Sequence, residues 1–61
     1  MINPHKDGVG DRVRKVKGYA FDGEIRALFT TKSSEIRVVV ESEAIPGLLH
    51  IFSPNQLERK P

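Results

Sequence analysis

Apolar and polar residues alternate along several short stretches of the chain, which is the pattern of half-buried β-strands. The strongest example is residues 35–43 (EIRVVVESE), which is also rich in β-branched side chains. Residues 24–31 (EIRALFTT) alternate in the same way. The side chains predicted to share one face on these two strands are Ile25, Ala27 and Phe29, and Ile36, Val38 and Val40.

Three further segments complete the predicted sheet. Residues 10–17 (GDRVRKVK) are predicted as the first strand, 48–52 (LLHIF) as the fourth and 57–59 as the fifth. Ser53-Pro54 suits a single helical turn before the last strand, and no segment has the length and period of a full helix. This order predicts an all-β fold, a small five-stranded SH3-like barrel with a single short helical turn before the last strand.

The length of the chain, 61 residues, allows one domain. Residues 1–8 are predicted to be a flexible N-terminal arm and residues 9–61 the SH3-like barrel domain. A domain of this size buries only roughly 60% of its unfolded surface, so its core is marginal. The chain has no cysteine, and its histidines and carboxylates lack metal-ligand spacing. We therefore expect it to gain stability by oligomerisation.

The net charge of +2 permits an anionic ligand or nucleic acid but demands neither. The N-terminus lacks the apolar segment of a signal peptide, and no apolar run reaches transmembrane length. We expect a soluble, cytoplasmic protein with no membrane partner. No serine is placed with a histidine and an aspartate as a nucleophile would be, so no catalytic residue is evident.

Strand alternation leaves several apolar side chains without cover in a single protomer, and such a surface predicts a protein interface. They are Phe21, Leu28, Val39, Ile45 and Phe52. The alternative is that sheet twist and loops cover them.

A basic stripe on the first strand, with two aromatic residues nearby, is compatible with nucleic-acid binding. It contains Arg12, Arg14, Lys15 and Lys17, with Tyr19 and Phe21. The glycines and strands around it also resemble the KOW motif of ribosomal and transcription-elongation proteins. The alternative is that these charges keep an edge strand soluble.

A more specific resemblance comes from blocks in both halves of the chain. They are GDRVRK (10–15), VESEA (40–44), Pro46-Gly47 and Leu57-Glu58-Arg59, with Gly18, Gly23-x-Ile25 and Ile51 between them. In their order and spacing these blocks resemble the plasmid-borne, trimethoprim-insensitive type II dihydrofolate reductases. The resemblance implies an SH3-like barrel that assembles as a homotetramer around one central pore, where NADPH and dihydrofolate enter from opposite ends and stack. A chromosomal relative with weak activity of the same kind is also compatible with it.

The resemblance also implies which residues line the pore. Lys15 falls at the family's pore lysine, which would attract the phosphates of NADPH and the glutamate tail of dihydrofolate. Leu49, His50, Ile51 and Phe52 stand where the family has Val-Gln-Ile-Tyr. The matching isoleucine uses its backbone N–H and C=O to bind the nicotinamide carboxamide and the pterin. A histidine can replace the glutamine by stacking, whereas the phenylalanine lacks the tyrosine hydroxyl that bonds the cofactor.

At the interface between dimers, the resemblance places Phe21 where the family has a tryptophan and Ile45 where it has a histidine. Ile45 carries no titrating group, so we predict that assembly is less sensitive to acid than in the family. Leu28 and Val39 complete the predicted oligomer interface. The implied mechanism is hydride transfer without a protein general acid, because holding the two rings in a near-attack geometry can itself carry catalysis.

Two alternatives remain open at this point. His50 can be a surface or interface histidine without a ligand, and Lys15 a solvated strand lysine. The whole chain can be a non-catalytic SH3-like binding module for RNA or a protein partner, since a fold alone does not give a function.

Overall fold

Five antiparallel strands form a single sheet in the computed structural model, which describes residues 1–61. The elements are β1 (Arg12–Lys15), β2 (Asp22–Thr30), β3 (Ile36–Ser42), β4 (Leu49–Phe52), a single 3-10 turn (Pro54–Gln56) and β5 (Leu57–Arg59). The strand order β4-β3-β2-β1-β5 leaves β4 and β5 at the two edges. These features confirm the all-β, SH3-like prediction. No helix in the structure has the length and apolar character needed to cross a membrane.

The core lies on one face of this sheet and draws on every strand. Its fully or almost fully buried members are Ile2, Val13, Phe21, Ile25, Val38, Val40, Phe52 and Leu57. Alternation explains the strand members, because successive side chains point to opposite faces of a sheet. Val38 and Val40 are buried and Ile36 is half-buried, which confirms the face predicted for β3.

A β-bulge interrupts the alternation of β2. The register of β2 against β3 shifts between Ile25 and Ala27, so Arg26 is an extra residue on its strand. After the shift Leu28 packs against the core, whereas Phe29 is 42% exposed. The prediction that Ile25, Ala27 and Phe29 share one face was therefore wrong, because one inserted residue moves every later side chain to the other face.

The first residues of the chain fold back onto the barrel, which differs from the flexible arm predicted for 1–8. The Ile2 side chain is only 1% exposed, and its N–H donates to the Pro54 carbonyl at 3.3 Å. A turn follows, in which the Asp7 N–H donates to the Asn3 carbonyl at 2.7 Å and the Asp7 carboxylate accepts from the Asn3 N–H at 2.8 Å. A core of this size gains from one more isoleucine.

Both aromatic residues predicted to lack cover are buried in the single protomer. Phe21 is 7% exposed and Phe52 is 2% exposed, and their ring centroids are 5.3 Å apart in an edge-on arrangement. The prediction that both are surface residues was wrong, because the β1–β2 connection curls over the end of β4. Ile45 is 58% exposed, as predicted.

Candidate functional site

A cluster of aromatic rings surrounds His50 where the β1–β2 connection meets β4. The Phe21 ring stacks on the imidazole, with the centroids 4.5 Å apart and the planes 18° from parallel. The Tyr19 ring meets the imidazole edge-on at 5.9 Å. His50 and Phe52 lie on the same side of β4 because they are two residues apart, and their centroids are 6.0 Å apart. The imidazole is therefore held on several sides by its own protomer.

Tyr19 connects the two polar residues predicted to bind ligands. Its hydroxyl lies 3.2 Å from Nδ1 of His50. The Nζ of Lys15 lies 4.3 Å from the Tyr19 ring centroid, within the range of a cation–π interaction. The same ammonium donates a hydrogen bond to the carbonyl of Lys17, which fixes it over the turn. Lys15 and His50, from opposite ends of the sequence, thus lie on two sides of one phenol.

The backbone of Ile51 faces the open edge of the sheet. The Ser42 N–H donates to the Leu48 carbonyl at 2.9 Å, which makes these residues a hydrogen-bonded pair at the start of the β3–β4 ladder. Hydrogen-bonded and non-hydrogen-bonded pairs alternate along an antiparallel ladder. In the observed register His50 therefore bonds to β3 and Ile51 does not. The N–H and C=O of Ile51 consequently point away from β3, and no other strand lies beyond β4.

The outward face of β4 is apolar and exposed. Leu49 is 52% exposed and Ile51 is 60% exposed, and Ile51 pairs across the sheet with the half-buried Val39. Phe52 instead belongs to the core. Of the predicted site residues, the structure brings Lys15 close to His50, leaves Leu49 and Ile51 on the outer face, and buries Phe52. Their contacts with ligands stay predictions.

The four residues predicted for the oligomer interface do not lie on one surface. Phe21 and Ile45 line the same open groove, of about 500 Å³, between the β1–β2 connection and the β3–β4 turn. Leu28 packs against the core on the inner face, and Val39 lies on the outer face beside Ile51. Ile45 is therefore free to contact a partner at this groove, of which the buried Phe21 forms part of the floor, whereas Leu28 and Val39 lie on other surfaces.

A second open cavity, of about 330 Å³, lies beside the Lys15 ammonium. It is lined by Lys15, Val16, Lys17, Gly18, Asn55 and Gln56. Ligand pockets usually have volumes of roughly 300–1,000 Å³ and bury most of the ligand. One protomer thus offers a cationic wall near Lys15 but no enclosure for a dinucleotide and a second ring ligand.

Two of the four basic residues in the stripe predicted on β1 are paired with carboxylates. An Arg12 guanidinium nitrogen lies 2.8 Å from Glu43, and the guanidinium of Arg14 bonds Glu58 on the neighbouring strand. These pairs reduce the positive charge that β1 can offer to a nucleic-acid backbone.

The bond between Tyr19 and His50 was not predicted from the sequence, although Tyr19 was noted for its position beside the basic residues. One signal was present: Tyr19 and Phe21 are two residues apart and so can lie on the same side of an extended segment. Nothing in the local pattern, however, indicates that this side meets β4.

Comparison with known proteins gives one consistent result. The family model described as R67 dihydrofolate reductase matches residues 3–60. The chain is 42% identical over 52 residues to a dihydrofolate reductase type 2 of Escherichia coli, a match that covers 85% of this chain and 67% of the relative. A second Escherichia coli dihydrofolate reductase type 2 is 44% identical over the same length and coverage. The match with the family model spans nearly the whole folded chain, including every strand.

Proposed function

The chain belongs to the R67 dihydrofolate reductase family of oxidoreductases, and from this we propose that it reduces dihydrofolate with NADPH in a pore shared by a homotetramer. The relatives are named dihydrofolate reductase type 2. The family model matches residues 3–60, which include every strand. As in the family that the sequence resembles, the activity would be insensitive to trimethoprim.

The observation that best supports the proposal is the arrangement of Lys15, His50 and Ile51. The ammonium of Lys15 and the imidazole of His50 lie on two sides of Tyr19. Ile51 is the next residue after His50, and its backbone N–H and C=O point off the open edge of β4. A cation for phosphate or carboxylate groups thus lies in the same region as a donor and an acceptor for the amide edges of two ring ligands.

Several copies of the chain are needed to enclose such ligands. The cavity beside Lys15 is open and small in one protomer, and the exposed Leu49 and Ile51 leave apolar surface beside the open strand edge. Apolar patches of this kind are typical of interaction surfaces. Four copies arranged around a common axis would turn these surfaces into the walls of one channel.

The proposed mechanism is hydride transfer from the nicotinamide ring to the pterin. The proposal includes no protein general acid, as the family resemblance implies. Catalysis would come from holding the two rings stacked at reacting distance, which removes much of the entropic barrier. Dihydrofolate would have to arrive protonated, and turnover should therefore rise at mildly acidic pH.

The test is NADPH oxidation with dihydrofolate by the purified full chain, in the wild type and in Lys15→Met. Losing a charge-assisted contact costs about 1.5–3 kcal/mol, so kcat/KM should fall roughly 10- to 100-fold. Lys32→Met is the matched control, because it removes the same charge at an exposed position in the β2–β3 turn, far from Lys15. Its kcat/KM should stay close to that of the wild type.

Two results would contradict the proposal. One is the absence of NADPH oxidation by the wild type at neutral and mildly acidic pH. The other is an equal loss in Lys15→Met and Lys32→Met, which would indicate a general effect of charge. Sedimentation gives an independent check, since a chain that stays monomeric at assay concentration cannot form a shared pore.

A further inference from the structure

The hydrogen-bonding capacity of His50 is already half used within its own protomer. Nδ1 lies 3.2 Å from the Tyr19 hydroxyl, and one face of the ring is covered by Phe21 at 4.5 Å. The nitrogen left for another partner is Nε2. His50 was expected to stack on a ligand. Because one face of its ring is covered, it can instead bind a ligand through Nε2 at the edge of the ring.

We propose that Tyr19 is a positioning residue of the ligand site, whose hydroxyl donates to Nδ1 of His50 and so presents Nε2–H to a carbonyl or ring-nitrogen acceptor of the ligand. This inference rests on the proposed function, because it takes His50 to line the shared pore. It assigns to the site a residue of the β1–β2 connection, in addition to Lys15 and the β4 strand.

The chemistry of the pair sets the direction of the bond. A neutral imidazole has one N–H donor and one lone-pair acceptor, and its partner decides which nitrogen carries the proton. The phenol has an O–H to donate, and the imidazole lone pair is a better acceptor than the phenol oxygen. When Tyr19 donates to Nδ1, the proton of the imidazole lies on Nε2 and makes that atom a donor.

The rings around the pair restrict its geometry. Phe21 stacks on the imidazole, and the Lys15 ammonium lies over the face of the Tyr19 ring. Each partner of the hydrogen bond thus has a second contact that limits rotation of its ring. Ordered side chains lower the entropy lost when a ligand binds, so this arrangement should favour ligand affinity.

The arrangement also bears on a difference between this chain and the family it resembles. Phe52 has no hydroxyl, and its ring is buried in the core. Tyr19, in the β1–β2 connection, places a phenol hydroxyl next to His50, which lies two residues before Phe52 on β4. The site therefore contains a phenol although β4 carries none, and this phenol acts through His50.

Tyr19→Phe tests the inference, because it keeps the ring under Lys15 and removes only the hydroxyl. Nitrogen NMR chemical shifts of the imidazoles, measured on the full chain without ligand, report which nitrogen of His50 carries the proton. We expect mainly Nε2–H in the wild type and a mixture of both tautomers in Tyr19→Phe. His5, an exposed residue of the N-terminal turn whose N–H bonds the Asn3 side chain, is the internal control and should not change. In steady-state assays Tyr19→Phe should lower kcat/KM about fivefold, mainly through KM.

The inference is overturned if His50 carries its proton on Nδ1 in the wild type, or if its tautomers are unchanged in Tyr19→Phe. It is also overturned if the tautomers change but KM for both ligands does not. These outcomes are distinct from failure of the proposed function, which would appear as absence of turnover by the wild type. Tyr19 is 57% exposed, so its substitution should leave the fold intact, and circular dichroism can verify this.

Discussion

Gly23 lies where two strands come too close together for any side chain. It is the second residue of β2 and pairs with both Val13 of β1 and Ser42 of β3. A Cβ added at Gly23 would lie 2.1 Å from the Glu41 carbonyl oxygen and 2.7 Å from a methyl group of Val40. The first of these contacts is with backbone, which cannot rotate away as a flexible side chain can. We therefore expect Gly23→Ala to force the sheet to deform.

The size of the effect follows from the type of clash. Overpacking a core usually costs 1–3 kcal/mol, and occasionally more. A contact with backbone in the middle of the sheet belongs at the upper end, about 3 kcal/mol. A loss of 1 kcal/mol lowers Tm by roughly 4–8 °C in a domain of 60–100 residues, so Gly23→Ala should lower Tm by about 12–24 °C.

Thermal and urea denaturation of the full chain would measure this loss. All variants must be compared at one protomer concentration, because assembly adds to apparent stability. Gly8→Ala is the matched control, since a Cβ at Gly8 meets nothing within 4 Å. It makes the same chemical change and should leave Tm unaltered or raise it by a few degrees, because alanine restricts the unfolded chain more than glycine does. The reasoning would be refuted if the two variants had the same Tm to within about 2 °C.

Three further predictions concern the N-terminus, an ion pair and assembly. Ile2→Ala should lower the free energy of unfolding by about 2–4 kcal/mol in urea titrations, because the Ile2 side chain is in the core. An unchanged urea midpoint would instead support the prediction that residues 1–8 form a flexible arm. Hydrogen bonds from Arg12 and then Lys60 lower the pKa of Glu43, so its contribution is present above the unfolded value of 4.5 and is lost as the pH falls. The Tm of Glu43→Gln should therefore decrease slightly less than that of the wild type as the pH is lowered, and the difference should be smaller at high salt. A larger decrease in Glu43→Gln would contradict this. Ile45 has no titrating group, so the sedimentation coefficient should be equal at acidic and neutral pH, and dissociation in acid alone would disprove this.

The strands could be predicted from the sequence because period-2 alternation reports the burial of one face directly. Ile36, Val38 and Val40 were assigned to one face on this basis, and β5 was predicted at its observed bounds. The helical turn after Ser53 was also predicted, since proline at its first position and serine before it are local signals. Features determined by residues close together in the sequence could thus be predicted from it.

Features determined by residues far apart in the sequence could not be predicted from it. The bulge at Arg26 leaves no mark in the local pattern, because an inserted residue is recognised only against the partner strand. The burial of Ile2 depends on the other end of the chain, where its N–H bonds the Pro54 carbonyl and its side chain joins the core. The bond between Tyr19 and His50 depends in the same way on how the β1–β2 connection meets β4. In each case a tertiary contact adds information that period and propensity do not contain.

The two edges of the sheet differ in a way that connects stability with the proposed site. Edge strands expose unpaired backbone groups, and proteins usually protect them with charged side chains, proline or a short length. The β5 edge has such protection, since Glu58 and Arg59 lie on the strand and Lys60-Pro61 follow it. The β4 strand, Leu49–Phe52, has no charged residue apart from the ionisable His50, and its outer face is apolar.

An unprotected edge of this kind is a liability for a free protomer, and the exposed edge would be removed if assembly covered the strand. The same assembly would bring the unpaired N–H and C=O of Ile51 into an enclosed space, where hydrogen bonds to a ligand gain strength because water is excluded. A single arrangement of copies would thus stabilise a marginal domain and complete its ligand site, so loss of assembly should abolish binding even where each barrel remains folded.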